Sequence, residues 1–229
     1  MNRPSPCAPA VAAALAALFL AGCSSLPFGA SDATPAYAPA NVRGPARWPV
    51  EIRRVAVLPV HDSTGLLTPE FVAAYDPAWL RALGGSQRAE FVPVSRRSLA
   101  SWAGHETLAS TEALPAGLLA RVAAETGAQA VVFIDLTHCA AYPPLGLGFR
   151  AKLVALPAVE IVWIADELFD SAVAPTTRAA EQFAQRNAAG PGDPAAAVLQ
   201  SPSRFAAYAF AAVADLLPPH PVAAPPPAH

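Results

Sequence analysis

Lysine is almost missing from this chain: Lys152 is the only one among 15 basic residues in 229, and 17 acidic residues leave a net charge of -2. A chain without basic excess is poorly suited to neutralising a run of phosphates, which argues against nucleic acid as a partner. Charged residues make up 14% and aromatics 8%, whereas hydrophobic residues reach 54%. That much apolar side chain excludes a chain disordered throughout and is enough for a core. Cysteine is scarce as well. Cys7 and Cys23 fall near the start, so Cys139 has no evident disulfide partner and the fold must rest on its core. HExxH, GxGxxG and a Walker lysine are also lacking, so no metal and no cofactor is expected. Nothing after residue 170 repeats at propeller-blade length.

What is present begins at the first residue. Arg3 precedes the apolar run Ala8 to Leu20, and Ala21 and Gly22 follow, the pattern of a secretory signal peptide over residues 1–22. The run is too short to span a bilayer comfortably. Leu20-Ala21-Gly22-Cys23, with Ser24 and Ser25 after it, resembles the bacterial lipobox. The resemblance implies cleavage before Cys23 and acylation of that residue. Two or three acyl chains anchor stably where one binds only marginally. Ser24, not being aspartate, implies sorting to the outer membrane, so the expected location is lipid-anchored on its periplasmic face.

Residues 23–48 are rich in Ser, Pro, Ala and Gly and read as a flexible tether. Residues 218–229, with six prolines, read as a disordered tail. The domain between them, residues 49–217, is α/β in pattern. Ile52–Val60 and Ala130–Leu136 are short apolar runs suited to strands buried on both faces. Glu90–Val94 is a shorter strand. Phe149–Leu156 and Val159–Phe169 are joined through Pro157-Ala158, too tightly for anything but an antiparallel hairpin. Helical spacing appears from Pro69, broken at Asp76-Pro77 with Asp76 as a plausible cap and ended by Gly84-Gly85. It recurs after a Ser95 cap, over Leu114–Thr126, and over Pro202–Leu217. Right-handed crossovers give a single three-layer domain with a mixed sheet of about five strands in order 2-1-3-4-5, antiparallel toward its C-terminal part, with flanking helices.

Four segments carry a resemblance: Arg54–Val60; Phe91-Val92-Pro93-Val94-Ser95-Arg96 with Leu99; Ala123–Val132; and Glu160-Ile161-Val162-Trp163. Together they resemble the periplasmic α/β domain of CsgG-like curli-secretion lipoproteins, of outer-membrane activators of penicillin-binding proteins, and of the TolB amino-terminal domain, over residues 52–170. The resemblance implies a non-enzymatic envelope module that binds an envelope protein or self-associates. Membrane-spanning inserts of the curli pore type are not evident.

Candidate chemistry is thin. His61, Asp135 and His138 could meet at the carboxyl edge of the sheet, which would suit a lipid-anchored hydrolase. His138 and Cys139, adjacent on a strand, point to opposite faces and form no dyad unless the chain turns there. Asp62-Ser63-Thr64-Gly65 reads as turn capping. Arg96 and Arg97 read as solvated. Asp166, Glu167 and Asp170 read as charges protecting an edge strand. The loop Tyr142 to Gly148 is the expected partner-binding feature, presenting Tyr142, Leu145 and Leu147 on a rigid frame of Pro143 and Pro144; the alternative is that its prolines and glycines fold it back over the sheet edge to complete the core.

Overall fold

A computed structural model of the protein describes residues 37–188 and 192–220. The signal peptide, Cys23, the tether up to residue 36 and the tail from 221 lie outside the described residues. The strands are β1 (Val42–Arg43), β2 (Arg54–Val57), β3 (His61–Asp62), β4 (Glu90–Pro93), β5 (Ala130–Ala140), β6 (Gly146–Ala155) and β7 (Glu160–Asp170). The helices are α1 (Pro69–Ala73), α2 (Asp76–Ser86), α3 (Arg96–Ala103), α4 (Leu118–Thr126), α5 (Ala174–Arg186), α6 (Pro194–Gln200) and α7 (Pro202–Asp215).

One mixed sheet runs β1-β7-β6-β5-β2-β4, with β3 beside the second half of β5. β4, β2 and β5 are parallel, and β5, β6, β7 and β1 are antiparallel. The five longer strands follow the order expected from the sequence. Two-residue β1 and β3 are too short to leave a periodic signal.

Strand alternation divides the core into two. Val55 and Val57 of β2, with Ala130, Val132, Ile134 and Leu136 of β5, face one side, where Trp79, Phe205 and Phe210 pack. Ala56 and Leu58, with Val131 and Phe133, face the other, against Leu99 of α3 and Val122 of α4. Helices therefore lie on both sides of β2 and β5, and continuous apolar runs are the result. Ser95 accepts from the Ser98 amide and starts α3, which stops at Gly104 in the left-handed region.

Several boundaries differ from expectation. Asp76 is not the cap of α2: it is the first helical residue, preceded by Tyr75. The helix also runs through Gly84 and Gly85 to Ser86. α5 and α6 lack a long apolar stripe, so the sequence pattern does not mark them. The domain is also larger than residues 49–217. Trp48, assigned to the tether, is 2% exposed, and its indole donates to the Ile52 carbonyl. Its amide donates to the Pro219 carbonyl at 2.7 Å, so both margins close on each other and Pro218 is buried. A single large aromatic outweighs its polar, proline-rich surroundings.

Candidate functional site

At the carboxyl edge, β3 places His61 beside Asp135, and Asp135 is fully buried on the face shared with Phe133. Its carboxylate accepts from the Ser110 amide at 2.9 Å and the Ser110 hydroxyl at 2.6 Å. Lys152 on β6 donates to the Ser110 carbonyl. His61 Nδ1 lies 3.0 Å from the Thr107 hydroxyl. Buried polar groups must be paired, and these pairings fasten the segment between α3 and α4 across the strand ends. His61 and Asp135 are register neighbours, but each bonds to this segment. His138 lies beyond a register irregularity in β5, opposite Gly148. It brings no third group to Asp135.

His138 has a different neighbour. A Cβ added to Gly146 would sit 3.0 Å from His138 Nε2, and one added to Gly148 would sit 2.8 Å from Thr137 Oγ1. The two glycines let the imidazole lie against β6, a close approach that explains glycine inside a strand. Cys139 is on the opposite face, packed against the aromatic core. Burial pushes its thiol above the ordinary range, the nearby Asp62 charge pushes the same way, and a Tyr75 hydroxyl hydrogen bond pulls against both. A thiol held up in this way is a poor nucleophile at neutral pH.

Asp62 caps its own turn, accepting from Thr64 N at 2.9 Å, the Thr64 hydroxyl at 2.6 Å and Leu67 N at 3.0 Å. Partial burial opposes its ionisation, but these bonds outweigh it and hold the carboxyl below the usual range. Arg96, expected to be solvated, instead grips Asp76 at 2.7 Å and the Val60 carbonyl at 3.0 Å. Its first-turn position is tolerated because an Asp carboxylate lies alongside.

Loop 142–148 divides. Tyr142 is 86% exposed, whereas Leu145 and Leu147 are 1% and 3% exposed in the core. Gly146 already opens β6, and the Leu145 carbonyl accepts from Ser171 N at 2.8 Å. Leu145 and Leu147 are therefore core residues and not partner contacts, because the strand begins earlier than the sequence pattern indicates and turns both inward. Of the three candidate contacts, Tyr142 is the one at the surface.

Glu167 departs from its expected role as well. It is 6% exposed and is not an edge charge. Its carboxylate accepts from the Tyr37 hydroxyl at 2.6 Å, Ala40 N at 2.8 Å and Asn41 N at 2.7 Å. Tyr37 stacks on Phe169, and burial first, then the Glu167 charge and hydrogen bond, hold its hydroxyl protonated well above the usual range. No tether composition rule signals such a clasp. Asp166, by contrast, pairs across the strands with Arg150 at 2.8 Å. Among the described residues no cluster of His, Cys, Asp and Glu suits a metal, and no helix is long and apolar enough to cross a membrane.

No protein-family model matches this chain, and no curated protein matches it in sequence. Several solved structures are similar in chain path. The PelC dodecamer from Paraburkholderia phytofirmans is 15% identical at a TM-score of 0.47, with 79% of this chain and 98% of that chain covered. Lipoprotein GNA1162 from Neisseria meningitidis is 13% identical at 0.38, with 52% and 82% covered. The LpoB C-terminal domain from Escherichia coli is 17% identical at 0.34, with 51% and 81% covered. At these identities and TM-scores the likenesses assign the chain to no family.

Proposed function

We propose that this chain is a lipid-anchored binding or assembly module of the bacterial outer membrane, held on the periplasmic face through Cys23 and performing no reaction of its own. The leader and lipobox pattern support the anchor. The observation that carries the non-enzymatic reading is Asp135: fully buried, it spends its carboxylate on the Ser110 amide and hydroxyl. A carboxylate so engaged is a fold-holding group and has no open side for a substrate. The partner class is a periplasmic envelope protein or a second copy of the chain, and Tyr142 is a candidate contact.

Two variants test this. Cys23→Ala should accumulate as uncleaved precursor that takes up no labelled palmitate; normal processing and labelling would overturn the anchor. A His61→Ala, His138→Ala double variant should keep its envelope phenotype. Loss of that phenotype at an unchanged melting temperature would overturn the non-enzymatic reading and point to hydrolysis at the carboxyl edge.

A further inference from the structure

Two adjoining clefts cross the outer surface of the helical layer. The larger, about 560 Å³, lies between α2, α5, α6 and α7 and is lined by Phe183, Val198 and Ala197 among others. The smaller, about 450 Å³, lies between α1, α2 and α7, with Phe71 and Pro202 on its walls. Arg81 and Ala207 line both, so the clefts meet along one line. Phe71 stacks edge-on against Tyr75 and keeps part of its ring exposed.

The groove combines apolar walls with positive charge. Arg81 and Arg204 line it, both exposed, and among the described residues neither guanidinium has a carboxylate partner, as is also true of Arg53 and Arg97 elsewhere on the surface. The acidic group in the lining, Asp193, is already used: its carboxylate accepts from Ala195 N and Ala196 N at the start of α6. An apolar groove bearing two unpaired arginines is complementary to an apolar segment that carries carboxylates. Arginine is suited to this, since its planar fork binds carboxylate bidentately and is weakly hydrated. Aromatic side chains and arginine together are also the usual anchors of protein interfaces.

Resting on the reading of this chain as a binding module, we infer that the groove between α1, α2 and α5–α7 docks an apolar, carboxylate-bearing peptide segment of the envelope partner, with Arg81 and Arg204 reading its acidic side chains. The sheet's uncovered β6–β7 face, which exposes Ile161 and Leu168, carries no comparable unpaired charge at its centre, because Arg150 and Asp166 satisfy each other there.

The test places a photo-crosslinking amino acid at exposed Ala74, in the smaller cleft, and separately at Tyr142, in the full-length chain in its native envelope. The expected adduct at Ala74 is a peptide of another protein in which Asp or Glu interrupts an apolar run. A synthetic copy of that peptide should bind the purified domain. Arg81→Glu with Arg204→Glu should weaken binding at least tenfold at an unchanged melting temperature, and a peptide with its acids replaced by lysine should restore binding to that variant. A lipid adduct, a second copy of this chain, its own residues 221–229, or a peptide indifferent to both charge changes would overturn the inference. Capture at Tyr142 with silence at Ala74 overturns the groove and leaves the binding reading standing; silence at both overturns both.

Discussion

Glu167 is the position where a single substitution should separate one segment from an otherwise intact fold. Glu167→Ala removes three bonds of 2.6 to 2.8 Å to residues 37–41. Bonds to a charged group contribute about 1.5–3 kcal/mol each, which sets a ceiling of roughly 4–9 kcal/mol. The ceiling is not reached, because Ala40 and Asn41 are otherwise exposed and their amides regain water once released. Ordering each residue also costs about 1–2 kcal/mol, so residues 37–48, the strap ahead of β2, are only marginally held. A loss of about 2 kcal/mol is therefore expected, which raises the open population about 30-fold. Trypsin reads this directly, since Arg43 and Arg47 lie in the strap and cleavage follows the open population when reclosing is fast. Glu167→Gln, which keeps the shape and loses the charge, should fall between wild type and Ala. Cleavage at Arg43 and Arg47 within twofold of wild type in the Ala variant would refute the clasp.

Leu145→Ala should cost about 2–5 kcal/mol in chemical denaturation while Tyr142→Ser costs less than about 0.5 kcal/mol; similar losses for the two would show that the loop does not divide as described. Asp62→Asn should destabilise near neutrality, and the deficit should shrink as pH falls. The folded carboxyl titrates below its unfolded value of about 3.9, so its contribution is complete above that value and lost on titration below it. A deficit constant from about pH 6 to about pH 2 would contradict the turn bonds. Cys139 should alkylate at least tenfold more slowly at neutral pH than the same thiol after unfolding, and equal rates would show that it is not held protonated by burial. Gly148→Ala should cost about 1–3 kcal/mol by forcing a Cβ against Thr137, and Thr137→Ala in the same chain should recover part of it.

The strand order was legible because its determinants are local. Apolar runs in β2 and β5 mark strands covered on both faces, and the short Pro157-Ala158 link permits only a hairpin between β6 and β7. The helix start at Ser95 was equally readable from its capping residue, and the helix from Pro202 from its one-sided apolar spacing. What stayed hidden depends on distant partners. Trp48 looks like tether until it meets Pro219, and Glu167 looks like an exposed strand charge until Tyr37 and two amides reach it. Gly146 and Gly148 look like loop residues because nothing local announces an imidazole lying across the strand. The arginine-bearing groove is assembled from five helices, two of which lack a long apolar stripe, so no window of sequence contains it.

The bond between Trp48 and Pro219 has a mechanical meaning. A pull on the N-terminal side of the domain does not reach β2 first. It meets the Glu167 clasp, then the two rungs joining β1 to β7, and only then the backbone bond at Trp48. These are met in series, ahead of the ten-pair ladders that join β6 to β5 and to β7 behind them. Releasing residues 37–48 adds roughly 40 Å of extended chain at about 3.3 Å per residue. The strap is thus a graded fuse: under tension residues 37–48 pay out in steps while the sheet behind them stays whole.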